Sequence, residues 1–124
     1  MEIIQTDNAP VAIGPYSQAV VSNAFVFCSG QIALRPDATL VDGPVEMQFK
    51  QVMENLSAVL TAAGSSLNKV VKTTIYLTDM NDFQVVNELY ANYFDGSAKP
   101  ARATVEVSRL PKDVKIEVDC VAEL

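Results

Sequence analysis

The chain has 124 residues, about half hydrophobic and a fifth charged, a composition that excludes a disordered or low-complexity protein and suits a single domain over 1–124. Fifteen acidic residues against nine basic ones give a formal charge of −6, which repels nucleic acid, and no dense basic run offsets it. The absence of any histidine excludes histidine-based metal sites and catalytic triads, and Cys28 and Cys120, each inside an apolar run, are expected to be reduced buried thiols rather than a disulfide or ligands.

The chain opens without a basic stretch and apolar core, and no apolar run reaches the roughly 20 residues that span a bilayer, so a cytoplasmic protein is expected. Ile3 to Thr6 suits a short strand, after which Pro10 and Gly14-Pro15 break the backbone into a loop carrying Tyr16. Ala19 to Ser22 and Phe25 to Ile32 read as strands joined by a Ser22-Asn23 turn. Gly30 inside the second marks a bulge, plain packing, or close approach of a backbone or ligand.

Residues 34–43 form a surface connection, and Pro44 opens a helix with Val45, Phe49, Val52, Met53, Leu56, Leu60 and Ala63 on one stripe. Gln48, Lys50, Gln51 and Asn55 fall off the centre of that stripe, and Gly64 supplies the stop. Val70 to Thr78, rich in β-branched residues, is a strand. Asp79 or Asn81 caps a second amphipathic helix running to about Phe94, with Asn87 beside its apolar stripe, either as a buried amide or as a site residue.

Two further β-like runs, Ala101 to Val107 and Lys115 to Val121, flank a Leu110-Pro-Lys-Asp113 turn and read as paired strands. Arg102 then shares a face with Thr104, and Glu117 lies on a polar face, so arginine and carboxylate can converge on one side of the sheet. An arginine fork matches a small organic acid in two parallel hydrogen bonds, and a glutamate beside it can move protons. Spacing alone favours the plainer explanation, that the two pair with each other or with water. Three strands, helix, strand, helix and two strands make an α+β domain: a mixed β-sheet with two helices on one face. The other face is expected to carry Arg102, Thr104 and Glu117 and to be buried by sister subunits.

The string Pro100-Ala-Arg-x-x-Val-x-x-x-x-Leu-Pro-Lys-Asp-Val-Lys-Ile-Glu117 is similar to the C-terminal signature of the RidA family, also called YjgF or L-PSP. Gly14-Pro-Tyr-Ser-Gln-Ala19, Ser29-Gly-Gln31, Asn55-Leu56 and Val86-Asn-Glu-Leu-Tyr90 resemble its other landmarks in the same order, so the likeness covers essentially the whole chain. The resemblance implies a chorismate-mutase-like α+β fold and a homotrimer with sites in the clefts between subunits. It also implies a hydrolytic deaminase of 2-aminoacrylate-type enamines and imines (2-iminobutanoate, 2-iminopropanoate). These are made by pyridoxal-phosphate (PLP) dehydratases and converted to 2-oxo acids and ammonia with no metal or cofactor. Arg102 matches the carboxylate-binding arginine and Glu117 the glutamate that holds the attacking water, with the backbone near Thr104 helping. Tyr16, from a neighbouring subunit, and Ser29, Gly30 and Asn87 match the remaining pocket positions. Ala103, Thr104 and Val118 depart from the family pattern; Thr104 replaces a frequent cysteine, so no thiol acts there. Two alternatives stand beside this reading. The endoribonuclease or translation-inhibitor role given to some relatives is opposed by the acidic charge and the lack of histidine. A non-enzymatic trimer binding small carboxylates is the other.

Overall fold

In the computed structural model, which describes residues 1–96 and 98–124, the chain start and the first hairpin form an antiparallel meander. It comprises β1 (Glu2–Ile4), β2 (Ala19–Ser22) and β3 (Phe25–Gln31). Asn23 makes the β2–β3 turn at φ 56°, a left-handed conformation that asparagine tolerates. Helix α1 (Val45–Ala62) follows Pro44 and ends at Gly64, φ 84°. There the Ser65 and Gly64 amides donate to the Leu60 and Thr61 carbonyls, the paired bonds of a glycine stop.

The expected stripe of α1 is buried, but Gln48 and Asn55, expected off its centre, are buried as well. Spaced seven residues apart, they lie on the stripe's own side of the helix. Each is satisfied by backbone that α1 thereby ties down. Gln48 Oε1 accepts from the Lys115 amide at 2.8 Å, and Asn55 Nδ2 donates to the Leu34 carbonyl at 2.8 Å.

Strand β4 (Val70–Leu77) leads through a turn, in which the Asp79 carboxylate accepts from the Asn81 amide at 2.9 Å, into α2 (Phe83–Tyr93). Strands β5 (Ala101–Glu106) and β6 (Ile116–Glu123) complete one six-stranded sheet in the order β1-β2-β3-β6-β4-β5. Only β4 and β5 run parallel; the other pairs are antiparallel. This corrects the expectation that the last two strands pair with each other: β4 lies between them, and the nine residues 107–115 cross it.

Ile116, Val118, Cys120 and Ala122 alternate inward along β6, under α1, and both helices cover that face, as expected. Cys28 and Cys120 are register partners across β3 and β6, both buried free thiols. The hydrogen bond between them, with burial, pushes the Cys120 thiol far up. The opposite face of the sheet leaves Ile3, Phe25, Phe27 and Val105 exposed. Among the described residues no helix is long and apolar enough to cross a membrane.

Candidate active site

Gly30 of β3 sits at a register shift. Between the pairs Cys28↔Cys120 and Gln31↔Val118, Ser29 and Gly30 oppose Asp119 alone. Such a bulge bends its strand and re-aims what lies beside it. Here that is Glu117: a Cβ added at Gly30 would overlap the Glu117 carboxylate, which therefore lies flat against β3. Ser29 is fixed at the bulge by its amide to the Gln18 carbonyl (3.0 Å) and its Oγ to the Ser17 carbonyl (2.6 Å).

Gln18, fully buried, organises the loop before β2. Its Oε1 accepts from the Thr6 amide at 2.7 Å and its Nε2 donates to the Pro10 carbonyl at 2.8 Å. The loop thus held presents Val11, Ile13 and Tyr16, all exposed, with the Tyr16 hydroxyl accepting from the Ile13 amide at 3.3 Å. Tyr16, Ser29, Gly30, Lys112 and Glu117 share one open cavity of about 540 Å³. Lys112 and Asp113 both stand at φ 57° in the turn walling it, a left-handed conformation that aspartate tolerates and lysine adopts at a cost. The Arg109 guanidinium grips the Asp113 carboxylate at 2.5 and 3.1 Å across that turn. Glu117 is half-buried, and burial first, then the Asp119 charge, raises its carboxyl above the ordinary value.

Arg102 lies elsewhere. Residues opposite one another in a sheet share a face, and Arg102 is opposite Thr73 and Thr104 opposite Ile75, both buried under the helices. Glu117 is opposite Tyr76, one residue out of phase with those two along β4, and so faces the other way. The convergence of Arg102, Thr104 and Glu117 on one face is therefore overturned by the parity of the register. What Arg102 meets is α2: its Nη1 donates to Asn87 Oδ1 at 2.7 Å, and its Cζ stands 4.9 Å from the Tyr90 ring centre and 5.7 Å from that of Phe83. A 2.7 Å hydrogen bond between the Tyr90 hydroxyl and Thr73 Oγ1 anchors the ring beneath the guanidinium.

Asn87 is exposed, not a buried amide, and with Tyr90, Lys99 and Arg102 it lines a second cavity of about 390 Å³. Among the described residues the rest of the Arg102 fork makes no hydrogen bond, and Thr104 Oγ1 is a buried polar atom without a partner. The sequence-predicted residues thus fall into two groups on opposite faces of the sheet: Tyr16, Ser29, Gly30 and Glu117, and Asn87, Arg102 and Thr104. One group holds a carboxylate suited to proton transfer, the other an open cation suited to a small acid. Sequence reasoning gave no role to Gln18, Tyr90, Tyr76 or Asp119. The signal for Asp119 was available, since it stands two residues from Glu117 on the same face.

The sequence model of the family described as Endoribonuclease L-PSP matches residues 6–124. A RutC family protein of Synechocystis is 56% identical over 126 residues, covering 100% of this chain and 97% of that protein. The mouse protein named 2-iminobutanoate/2-iminopropanoate deaminase is 48% identical over 122 residues, covering 98% of this chain and 90% of its own. Among solved structures, Escherichia coli TdcF with bound serine superposes with a TM-score of 0.95 at 42% identity, covering 100% of this chain and 99% of that one.

Proposed function

Because this chain belongs to the L-PSP (RidA) family, we propose that it hydrolyses 2-iminobutanoate, 2-iminopropanoate and related enamines such as 2-aminoacrylate to 2-oxo acids and ammonia. The observation that carries the reading is the pairing of an arginine with an open fork and a half-buried carboxylate of raised proton affinity at the positions the family motifs mark.

In the proposed reaction the substrate carboxylate takes two parallel bonds from Arg102, whose plane is held by Tyr90 and whose rotation is held by Asn87. Water attacks C2 of the protonated imine as Glu117 accepts its proton, and the C=N electron pair moves to nitrogen, which leaves a neutral carbinolamine. Glu117 then returns that proton to nitrogen, the C2–N bond breaks with its electron pair going to nitrogen, and the C2 hydroxyl proton passes to the departing ammonia as the carbonyl forms, so Glu117 is again ionised. A carboxyl group held above its ordinary pKa suits both halves of that exchange. Imines hydrolyse spontaneously in water, so positioning and proton transfer are enough, and the chemistry requires no metal or cofactor. Tyr16, Ser29, Gly30 and Thr104 complete the pocket.

One copy carries both groups but on opposite faces, so a complete site needs the Arg102 side of one copy against the Glu117 side of the next. Two different surfaces meeting head to tail generate a ring. The RidA resemblance sets the ring at three, and the exposed Ile3, Phe25 and Phe27 supply apolar surface for it to bury. The same resemblance gives a cytoplasmic enzyme acting on the products of PLP-dependent dehydratases.

The test is to generate 2-iminobutanoate with threonine dehydratase and follow its loss. Added protein is expected to accelerate decay at least about ten-fold. An unchanged rate with saturable binding of 2-oxobutanoate would return the carboxylate-binding trimer to first place. Light scattering is expected to give three times the 13.4 kDa chain mass, and a monomer would remove the shared site.

Gly30→Ala provides a sharper check on Glu117. The new methyl group meets the mobile end of a side chain rather than backbone, so the fold adjusts by swinging the carboxylate away. Activity is expected to fall on the order of 10²-fold while the melting temperature stays within about 5 °C. A large loss of stability with normal turnover per folded molecule would mean that the glycine serves the bulge alone.

A further inference from the structure

Glu117 is not the only carboxylate on its face of the sheet. Asp119 stands two residues along β6, half-buried, and the Tyr76 hydroxyl donates to its Oδ2 at 3.0 Å. Tyr76 is itself the register partner of Glu117, so one tyrosine ring lies beside the first carboxylate while its hydroxyl holds the second. Because Asp119 is also the single residue opposite the Ser29–Gly30 bulge, the backbone that cradles Glu117 and the charge beside it are set by the same irregularity.

We propose that Asp119, clamped by Tyr76, is a positioning residue that acts through Glu117, keeping a second negative charge beside that carboxylate so that it retains the proton taken from water until nitrogen receives it. The inference rests on the reading of Glu117 as the proton carrier. Like charges confined to one half-buried face disfavour simultaneous ionisation, and the effect grows as water is excluded. Tyr76 bears the imprint of both: burial, then Asp119, then Glu117 push its hydroxyl up, as a phenol does when its anion would face carboxylates.

The other charged and titratable groups around Glu117 do not cancel this arrangement. Tyr16 and Lys112 line the same cavity from its loops, and β3 offers only Ser29 and Gly30. Lys72, on the same face of β4, spends its ammonium on the Thr73 carbonyl and Thr74 hydroxyl, 3.4 Å from each. Lys115, two residues before Glu117, lends its charge to Asp82. Among the described residues of one chain, Asp119 is the charge that bears on the Glu117 carboxyl, and it acts in the direction the exchange requires.

The experiment compares wild-type protein with Asp119→Asn and Tyr76→Phe in the assembled state, by two readouts. The first is the ¹³C titration of the Glu117 carboxyl, assigned by its disappearance in Glu117→Gln; the second is the acid limb of the pH–rate profile for 2-iminobutanoate. Removing the Asp119 charge is expected to move both midpoints to lower pH and to lower the plateau rate on the order of two- to five-fold, since a weaker base takes a proton less readily. Tyr76→Phe, which keeps the charge but frees it, is expected to move both midpoints the same way by less. A Glu117 titration unmoved in Asp119→Asn overturns the proposal. If that variant does not fold, an unmoved titration in Tyr76→Phe does the same. A titration that moves while the acid limb stays fixed leaves Asp119 as the tuning charge and removes Glu117 from the chemistry.

Discussion

Arg102→Ala is expected to reduce imine hydrolysis by at least about 10²-fold and to leave the assembled protein folded, with a melting temperature no more than about 5 °C lower. The side chain is exposed on an edge strand, and its partners are one amide oxygen and two ring faces, contacts whose loss costs little when water can replace them. What is lost is the plane. Tyr90, anchored by Thr73, and Asn87 hold the guanidinium so that its remaining donors point one way, and a substrate carboxylate bound there has its reacting carbon aimed rather than merely retained. Arg102→Lys keeps the charge but neither the fork nor the flat stack on Tyr90, so it is expected to be impaired nearly as severely. Initial rates, melts and mass on the same samples decide the matter; a folded Arg102→Ala protein working at the wild-type rate would overturn the assignment.

Glu117→Gln should lose on the order of 10²- to 10⁴-fold in rate, the usual worth of one positioned acid-base group. Its effect on stability should have the opposite sign to that of an ordinary buried-charge deletion. The carboxyl pKa is raised on folding, so its ionised form is disfavoured in the native state, and the stability it contributes is present below the unfolded value and is lost as pH rises through the folded one. At neutral pH the glutamine variant is therefore expected to melt at or above wild type, and the advantage should vanish under acid conditions. The two dead variants together test the shared site. If Arg102 and Glu117 of one site come from different copies, refolding Arg102→Ala with Glu117→Gln in equal amounts rebuilds about a quarter of the sites with both groups intact, because each position is drawn independently. Recovery near that fraction is expected. No recovery would mean that each chain completes its own site.

The local structure was legible because it is periodic. The α1 stripe, the Gly64 stop and the β-branched run of β4 each carry their cause within a few residues, whereas the Asp79 carboxylate caps the turn ahead of α2 and not, as expected, α2 itself, whose first residue follows Asp82. The buried amides were not: Gln48 and Asn55 look polar until the backbone groups they satisfy are known, and those lie 67 and 21 residues away. The faces of the motif residues were misjudged. Alternation within β5 and within β6 is a local signal, whereas their relative phase depends on β4 standing between them, with Arg102 opposite residue 73 and Glu117 opposite residue 76. Nothing within 100–119 carries that information, so residues divided between two faces looked like residues on one.

The position of β6 has a consequence for how such a chain comes into being. Strands β1 to β3 and strands β4 and β5 share no backbone pairing; β6, made after all of them, joins the two groups. During synthesis, until residues 116–123 have emerged, β3 and β4 each present an inner edge of unpaired amides and carbonyls, and α1 lacks the strand that it packs against most. Such edges pair with whatever is near, including the same edges on a neighbouring nascent chain. The domain is thus complete only when its closing strand slides into the gap, so the last strand made is the one on which the pairing of all the others depends.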